Sequence, residues 1–181
     1  MNERINYLMI AAVVLVADQF TKAWAAIQLK DGPSMSVIRS LFSLEYTENR
    51  GIALGIFGDG SDLTKWMLVA VSLAAALFVL GYILRASLTD RLLLMALSLL
   101  LAGIFGNLID RLWHGYVIDF IFFHYDETWR FPVFNVADTA ISFGAALMAI
   151  DLFRGAARSK DTIPIPPVPD QTVEPEPMSN E

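Results

Sequence analysis

The sequence predicts a mainly α-helical membrane protein: four transmembrane helices with a small extracytoplasmic β-cradle in the first outer loop. Three observations carry this expectation. Of 181 residues, 55% are hydrophobic and only 18% charged, where a soluble domain carries about 25% charge, and the mean hydropathy is +0.51. Four stretches are apolar for about the 20 residues that a helix needs to cross a bilayer core. Finally, the strongly polar residues at membrane depth gather at one end of those stretches instead of being scattered. The formal charge of −6 argues against a nucleic-acid partner, which would need clustered Lys and Arg. With no cysteine, disulfides, thiolate catalysis and Cys-ligated zinc are excluded.

The predicted spans are about residues 7–27, 66–84, 92–109 and 136–153, within a single integral membrane unit over residues 1–160. The first is uncharged from Tyr7 to Ala17. Its rival reading is a cleavable signal peptide, with Arg4 before the apolar run and Ala23-Trp24-Ala25 after it. Asp18 and Lys22 oppose this, because they fall where such signals are normally uncharged. The second span, Trp66–Leu84, is free of charge; the third is bounded by Arg91 and by Asp110-Arg111; the fourth is uncharged from Thr139 to Ile150. Residues 161–181 hold six of the eight prolines and five acids with no base, which reads as a disordered acidic tail. Without it the chain is one charge from neutral, 13 bases against 14 acids.

The connections fix orientation. Residues 1–6, 85–91 and 154–160 share one side and carry six Lys or Arg in twenty positions; loops 28–65 and 110–135 carry six in 64. The basic side is expected to be cytoplasmic, with both termini, and the two long loops lie outside. Within the first loop, Phe42, Leu44 and Tyr46 alternate with Ser43, Glu45 and Thr47, which suggests a strand. Asn49, Gly51, Gly55, Gly58 and Gly60 follow, and the segment Asn49–Gly60 is read as a clamp or gate over a ligand. The second loop holds nine aromatics between Leu112 and Phe134 and is read mainly as an interfacial aromatic belt.

Charged groups at membrane depth cost about 2.5–3.5 kcal/mol each on insertion scales, so they are paired or functional. Asp18, Gln19 and Lys22 belong to helix 1, placed near its end; Asn107, Asp110 and Arg111 end helix 3; Asn135 and Asp138 begin helix 4. In a four-span topology these all converge at the outer surface. Asp18 and Lys22, at i,i+4, can form a salt bridge, and Asn107 is spaced to join Asp110 and Arg111. Read as structure alone, these groups satisfy one another and hold helices together. Arg111 is then expected to pair with Asp110 or a loop carbonyl.

Asp119, between Val117-Ile118 and Phe120, is costly there unless it is protonated or partnered. Asp138 follows nineteen residues later, in a first helical turn that favours negative charge. Two carboxylates close together in a low-dielectric site share one proton, so that one can act as base on a water while the other donates to the attacked carbonyl. Asp119 and Asp138 are the candidate pair. A Ser-His-Asp site has no obvious serine beside His114 or His124. Zinc lacks a helical HExxH pair, so no metal is expected.

Taken in order, the motifs are Asp18-Gln19-Phe20-Thr21-Lys22, Asn49-Arg50-Gly51-Ile52-Ala53, Gly106-Asn107-Leu108-Ile109-Asp110-Arg111, Val117-Ile118-Asp119-Phe120 and Phe134-Asn135-Val136-Ala137-Asp138. Across about residues 7–153 the chain resembles lipoprotein signal peptidase (signal peptidase II), the bacterial intramembrane aspartic proteases. The resemblance implies cleavage of a prolipoprotein signal peptide before the diacylglyceryl-modified lipobox cysteine, at the outer face of the cytoplasmic membrane, with no cofactor and no obligate protein partner. It places the catalytic pair at Asp119 and Asp138. Asn49, Gly51, Asn107, Arg111 and Asn135 fall on positions that hold substrate or shape the site, while Asp18, Lys22 and Asp110 are taken as structural polar residues. Ile52 and Leu54 depart from the Ala and Phe more usual there. The alternative from the residues alone is a small proton-coupled transporter or channel, although such proteins place their sites near the midplane and often carry internal repeats, which are not evident here.

Overall fold

A computed structural model of the chain describes residues 3–51, 61–126 and 128–160, the side chains of 155–160 excepted. The acidic tail and most of the glycine segment proposed as a clamp lie outside the described residues. The order is α1 (Glu3–Leu29), β1 (Met35–Ile38), β2 (Phe42–Asn49), α2 (Asp62–Arg85), α3 (Arg91–Trp113), β3 (Val117–Tyr125), β4 (Trp129–Arg130) and α4 (Val136–Lys160). All four helices are long and apolar enough to cross a membrane.

Local sequence sets the ends. Ser61 caps α2, its Oγ accepting from the Thr64 N–H at 3.2 Å, which satisfies one of the donors a helix start leaves open. The short turn after Arg85 returns the chain antiparallel into α3. Arg4 of α1 donates to the carbonyls of Ile83 and Leu84, answering the open acceptors at the end of α2. At the far end α3 stops at His114, and Gly115 takes φ +84°, a conformation that glycine adopts without a Cβ penalty. This sharp reversal drops β3 directly beside the last turn of α3.

Helix α3 is central and packs on α1, α2 and α4, while α2 and α4 flank it. Between α1, α2 and α3 lies a cluster that includes Ala11, Ala76, Ile83, Leu94, Leu97 and Leu101. Lipid supplies no hydrophobic drive between spans, so close packing of small residues matters more. At Gly103 a Cβ would overlap the Ala137 carbonyl and meet Ile141 Cγ1 at 2.6 Å; at Gly106 it would lie 2.5 Å from Asp18 Oδ2. These two glycines let α4 and Asp18 come against α3.

The sheet corrects the sequence reading. It has the order β1-β2-β3-β4, antiparallel throughout, and takes two strands from the connection between α1 and α2 and two from that between α3 and α4. Residues 110–135 are thus not only an aromatic belt: Val117–Tyr125 is a nine-residue strand buried over its first four positions. A near-continuous apolar run has no period-2 signal, so only its partner strand reveals it. Aromatics exposed on this half include Trp113, Tyr125 and Trp129, while Phe123 stacks on Phe42 at 5.0 Å.

A second correction concerns depth. Asp18 stands eleven residues before the end of α1, roughly 16 Å at 1.5 Å per residue, not near the helix end. The extra length is used: Ala25 and Leu29 pack on Phe120 of β3, so α1 supports the sheet as well as the bundle.

Candidate active site

The candidate residues come from α1, β2, α3, β3 and α4 and from the residues just after β2 and just before α4. Asp119 is the third residue of β3, paired across the sheet with Thr47 and only 1% exposed. Asn49, two residues beyond Thr47 on β2, shares its face and donates from Nδ2 to Asp119 Oδ2 at 2.9 Å. Asp138 stands in the first turn of α4, where it closes a reciprocal cap with Asn135. The Asp138 N–H donates to Asn135 Oδ1 at 2.8 Å, and the Asn135 N–H donates to Asp138 Oδ2 at 3.2 Å, a capping box that satisfies two open donors. Asn135 Nδ2 then donates to Asp119 Oδ1 at 2.6 Å. One residue, fully buried, therefore holds both carboxylates.

Three asparagine amides share a logic. In Asn49 the Oδ1 accepts from the Gly51 N–H at 3.0 Å; in Asn135 it accepts from Asp138; in Asn107 it accepts from Lys22 Nζ at 3.0 Å and Asn135 Nδ2 at 3.2 Å. An amide whose oxygen is already engaged can only present its NH2. Asn107 accordingly donates to Asp138 Oδ1 at 2.8 Å. All four carboxylate oxygens receive a neutral N–H, and among the described residues no lysine or arginine forms an ion pair with either Asp.

The cations stand one layer back. Lys22, 2% exposed, bridges Asp18 at 2.9 Å and Asp110 at 3.1 Å. Gln19 Nε2 links the same two carboxylates at 3.2 and 3.1 Å. Asp18 Oδ1 also accepts the Ala137 N–H at 2.8 Å, and Asp110 Oδ2 the Ile118 N–H at 3.0 Å. Asp18 and Asp110 thus anchor the segments that lead into Asp138 and Asp119. Arg111 donates to the Gly51 carbonyl at 3.1 Å, the loop-carbonyl option of the two foreseen. The Asn107 side chain turns toward Lys22, Asp138 and Asn135, away from the expected grouping with Asp110 and Arg111. Among the described residues no three His, Asp or Glu side chains converge to hold a metal; His124 bonds Ser43 at 3.0 Å and His114 stacks on Tyr116.

Sequence reasoning did not single out Gly103. The available signal was a small residue one turn from Gly106 in an apolar helix, since small residues let helix backbones approach closely.

The pair lines a cleft of about 1740 Å³ bounded by α2, α3 and α4 and by residues 131–134. Its walls at Val71, Ala75, Ile104, Ile141 and Phe143 are apolar. Burial, and then the neighbouring Asp138 carboxylate, push the Asp119 carboxyl up to about 7 from 3.8; donation from Asn49 and Asn135 opposes the rise. In this window the folded protein keeps a proton that the unfolded chain has released, so stability falls as pH rises from about 4 to about 7. Melting temperatures should therefore decline over that range in the wild type relative to Asp119→Asn, which cannot titrate. A gap between the two that does not change with pH would show that Asp119 is not so shifted.

Four apolar helices, a small sheet and a polar site at one end of the bundle are the architecture of a class of bacterial membrane enzymes. A solved structure described as a bacterial membrane enzyme superposes with a TM-score of 0.77 at 28% identity, covering 88% of this chain and 94% of its own. A second superposes at 0.71 with 30% identity, covering 81% and 92%. The family model described as signal peptidase (SPase) II matches residues 10–154. The chain belongs to the signal peptidase II family of membrane proteases. It is 38% identical over 147 residues to a lipoprotein signal peptidase of Clostridium tetani, covering 81% of this chain and 92% of that one. It is 36% identical over 151 residues to one of Pseudomonas aeruginosa, covering 83% and 89%.

Proposed function

We propose that residues 1–160 act as one peptidase unit that removes signal peptides from prolipoproteins by cleaving before the diacylglyceryl-modified lipobox cysteine, with Asp119 and Asp138 activating water. The observation that carries this is the pair of buried carboxylates, each held by neutral amides and bridged by Asn135 at the wall of one cleft. Its volume exceeds the roughly 300–1,000 Å³ of a drug-sized site, which suits a peptide carrying acyl chains. The apolar walls on membrane-spanning helices let those chains stay in lipid while the peptide bond reaches the carboxylates.

The pair carries one proton. One carboxylate takes a proton from water as its oxygen attacks the scissile carbonyl carbon, and the other gives its proton to the carbonyl oxygen. The tetrahedral diol collapses: the C–N bond breaks, the amine nitrogen takes a proton from the pair, and one diol hydroxyl returns a proton to it. The pair ends with the single proton it began with. Asn49, Asn107 and Asn135 keep the carboxylates oriented, and Arg111 fastens Gly51 beside them. The basic residues around both termini and in residues 85–91 support a reading with the termini in the cytoplasm and the site at the outer face.

The test is cleavage of a diacylglyceryl-modified lipobox peptide by the purified chain in detergent. Expected are a cut immediately before the modified cysteine and a fall in kcat/KM on the alkaline side with a midpoint near 7, as the shared proton is lost. Folded protein that leaves a proven substrate intact would overturn the reading and favour a transport role.

A further inference from the structure

We propose that Lys22 is a positioning residue for Asp138, acting through the side-chain amide of Asn107; the proposal rests on the two-carboxylate reading above. The ammonium has three donors and uses them on Asp18 at 2.9 Å, Asp110 at 3.1 Å and Asn107 Oδ1 at 3.0 Å. The two ion pairs alone would join α1 to α3, and two carboxylates already outweigh one cation. The third bond is what a helix strut does not require. It engages the Asn107 oxygen, so that Nδ2 faces Asp138 Oδ1 at 2.8 Å. A flipped amide would aim its NH2 at the ammonium and its oxygen at the carboxylate, which is repulsive at both ends. Asn135 Nδ2 also reaches Asn107 Oδ1 at 3.2 Å, but its two hydrogens are shared with Asp119 at 2.6 Å and the Ile118 carbonyl at 3.3 Å. Lys22 is thus the strong fixing donor, and through it Asp138 is aimed from α1, an element that contributes no carboxylate to the pair.

Lys22→Met alone leaves Asp18 and Asp110 as facing buried charges, so that variant can fail to fold. The test uses Asp18→Asn as background. Adding Lys22→Met gives the buried cluster the net charge it has in the wild type, one charge below the background, and deletes the donor; adding Lys22→Gln instead gives that same charge with a neutral donor in place, so the Met and Gln variants are matched in charge. Against Asp18→Asn alone, the Met variant is expected to lose roughly 10²-fold in kcat, the scale of about an ångström of misplacement. Its KM should be unchanged, since only the reacting geometry is disturbed. The Gln variant should recover roughly tenfold of that loss, the amide being turned back toward productive geometry. A folded Met variant with the kcat of its background, a loss confined to KM, or a folded Gln variant as slow as Met would each overturn the proposal. Wild type and Asp138→Asn run beside them: wild type that does not cleave, or folded Asp138→Asn that cleaves normally, would instead sink the two-carboxylate reading.

Discussion

Asp138→Asn and Asp119→Asn should each lower kcat for lipobox-peptide cleavage by roughly 10²–10⁴-fold, the range that positioned proton transfer contributes. The geometry adds a structural consequence. Both oxygens of Asp119 accept, from Asn49 and Asn135, and both oxygens of Asp138 accept, from Asn107 and the Asn135 N–H. An asparagine in either place offers one acceptor and turns an NH2 on the other donor, leaving a buried group unpaired at a cost of about 1–3 kcal/mol. A lower melting temperature is therefore expected together with the lost turnover, and rates must be normalised to folded protein. Turnover within tenfold of wild type in a folded variant would remove that carboxylate from the chemistry, since it falls short of even the lower end of the range.

The second large effect comes from residues that touch no substrate. Gly103→Ala sets a Cβ against the Ala137 carbonyl, and Gly106→Ala sets one 2.5 Å from Asp18 Oδ2 and 3.0 Å from Ala137 Cβ. Overpacking of this kind typically costs about 1–3 kcal/mol. Here the strained neighbours are the first turn of α4, which carries Asp138, and the carboxylate that binds the Ala137 N–H. Both variants should lose turnover by roughly 10²-fold through displacement of Asp138, with Gly103→Ala the more severe because its obstacle is backbone. Gly106→Ala has the acceptor end of a side chain to push aside, at the expense of the Asp18–Lys22 pair. Melting curves and kcat for the two variants check this; wild-type values for Gly103→Ala would show that α3 and α4 are not held so close.

These expectations rest on distances that no reading of the chain alone supplies, while the polar residues involved, unlike Gly103, are conspicuous in the sequence. Asp18, Lys22, Asn107, Asp110, Arg111, Asn135 and Asp138 were conspicuous because charge and amide groups are expensive in an apolar run. Asp119 was conspicuous because its neighbours are Val117, Ile118 and Phe120. The four spans were legible for a related reason: a bilayer imposes one length and one composition, so a local window contains the whole signal. The hairpin of β1 and β2 showed in part through the alternation of Phe42 to Thr47. In contrast β3 was hidden, since an apolar run without alternation acquires its strand identity from the partner it pairs with, here Phe42–Asn49.

What the sequence by itself determined is that this is a four-span membrane protein with a cluster of costly polar side chains and two candidate carboxylates. The motifs already set Asp119 and Asp138 apart from Asp18, Lys22 and Asp110, but only the tertiary structure decided what holds each group. Asp18, Lys22 and Asp110 form the buried ion cluster of α1 and α3, while Asp119 and Asp138 are held by amides at the cleft. Composition cannot make that division, because a carboxylate is the same residue in both settings. Its partner differs, an ammonium in one layer and an amide NH2 in the other. Which way each amide turns is set by four donors: Gly51 and Asp138 act locally on Asn49 and Asn135, while Lys22 of α1 and Asn135 reach Asn107 only when the helices close together.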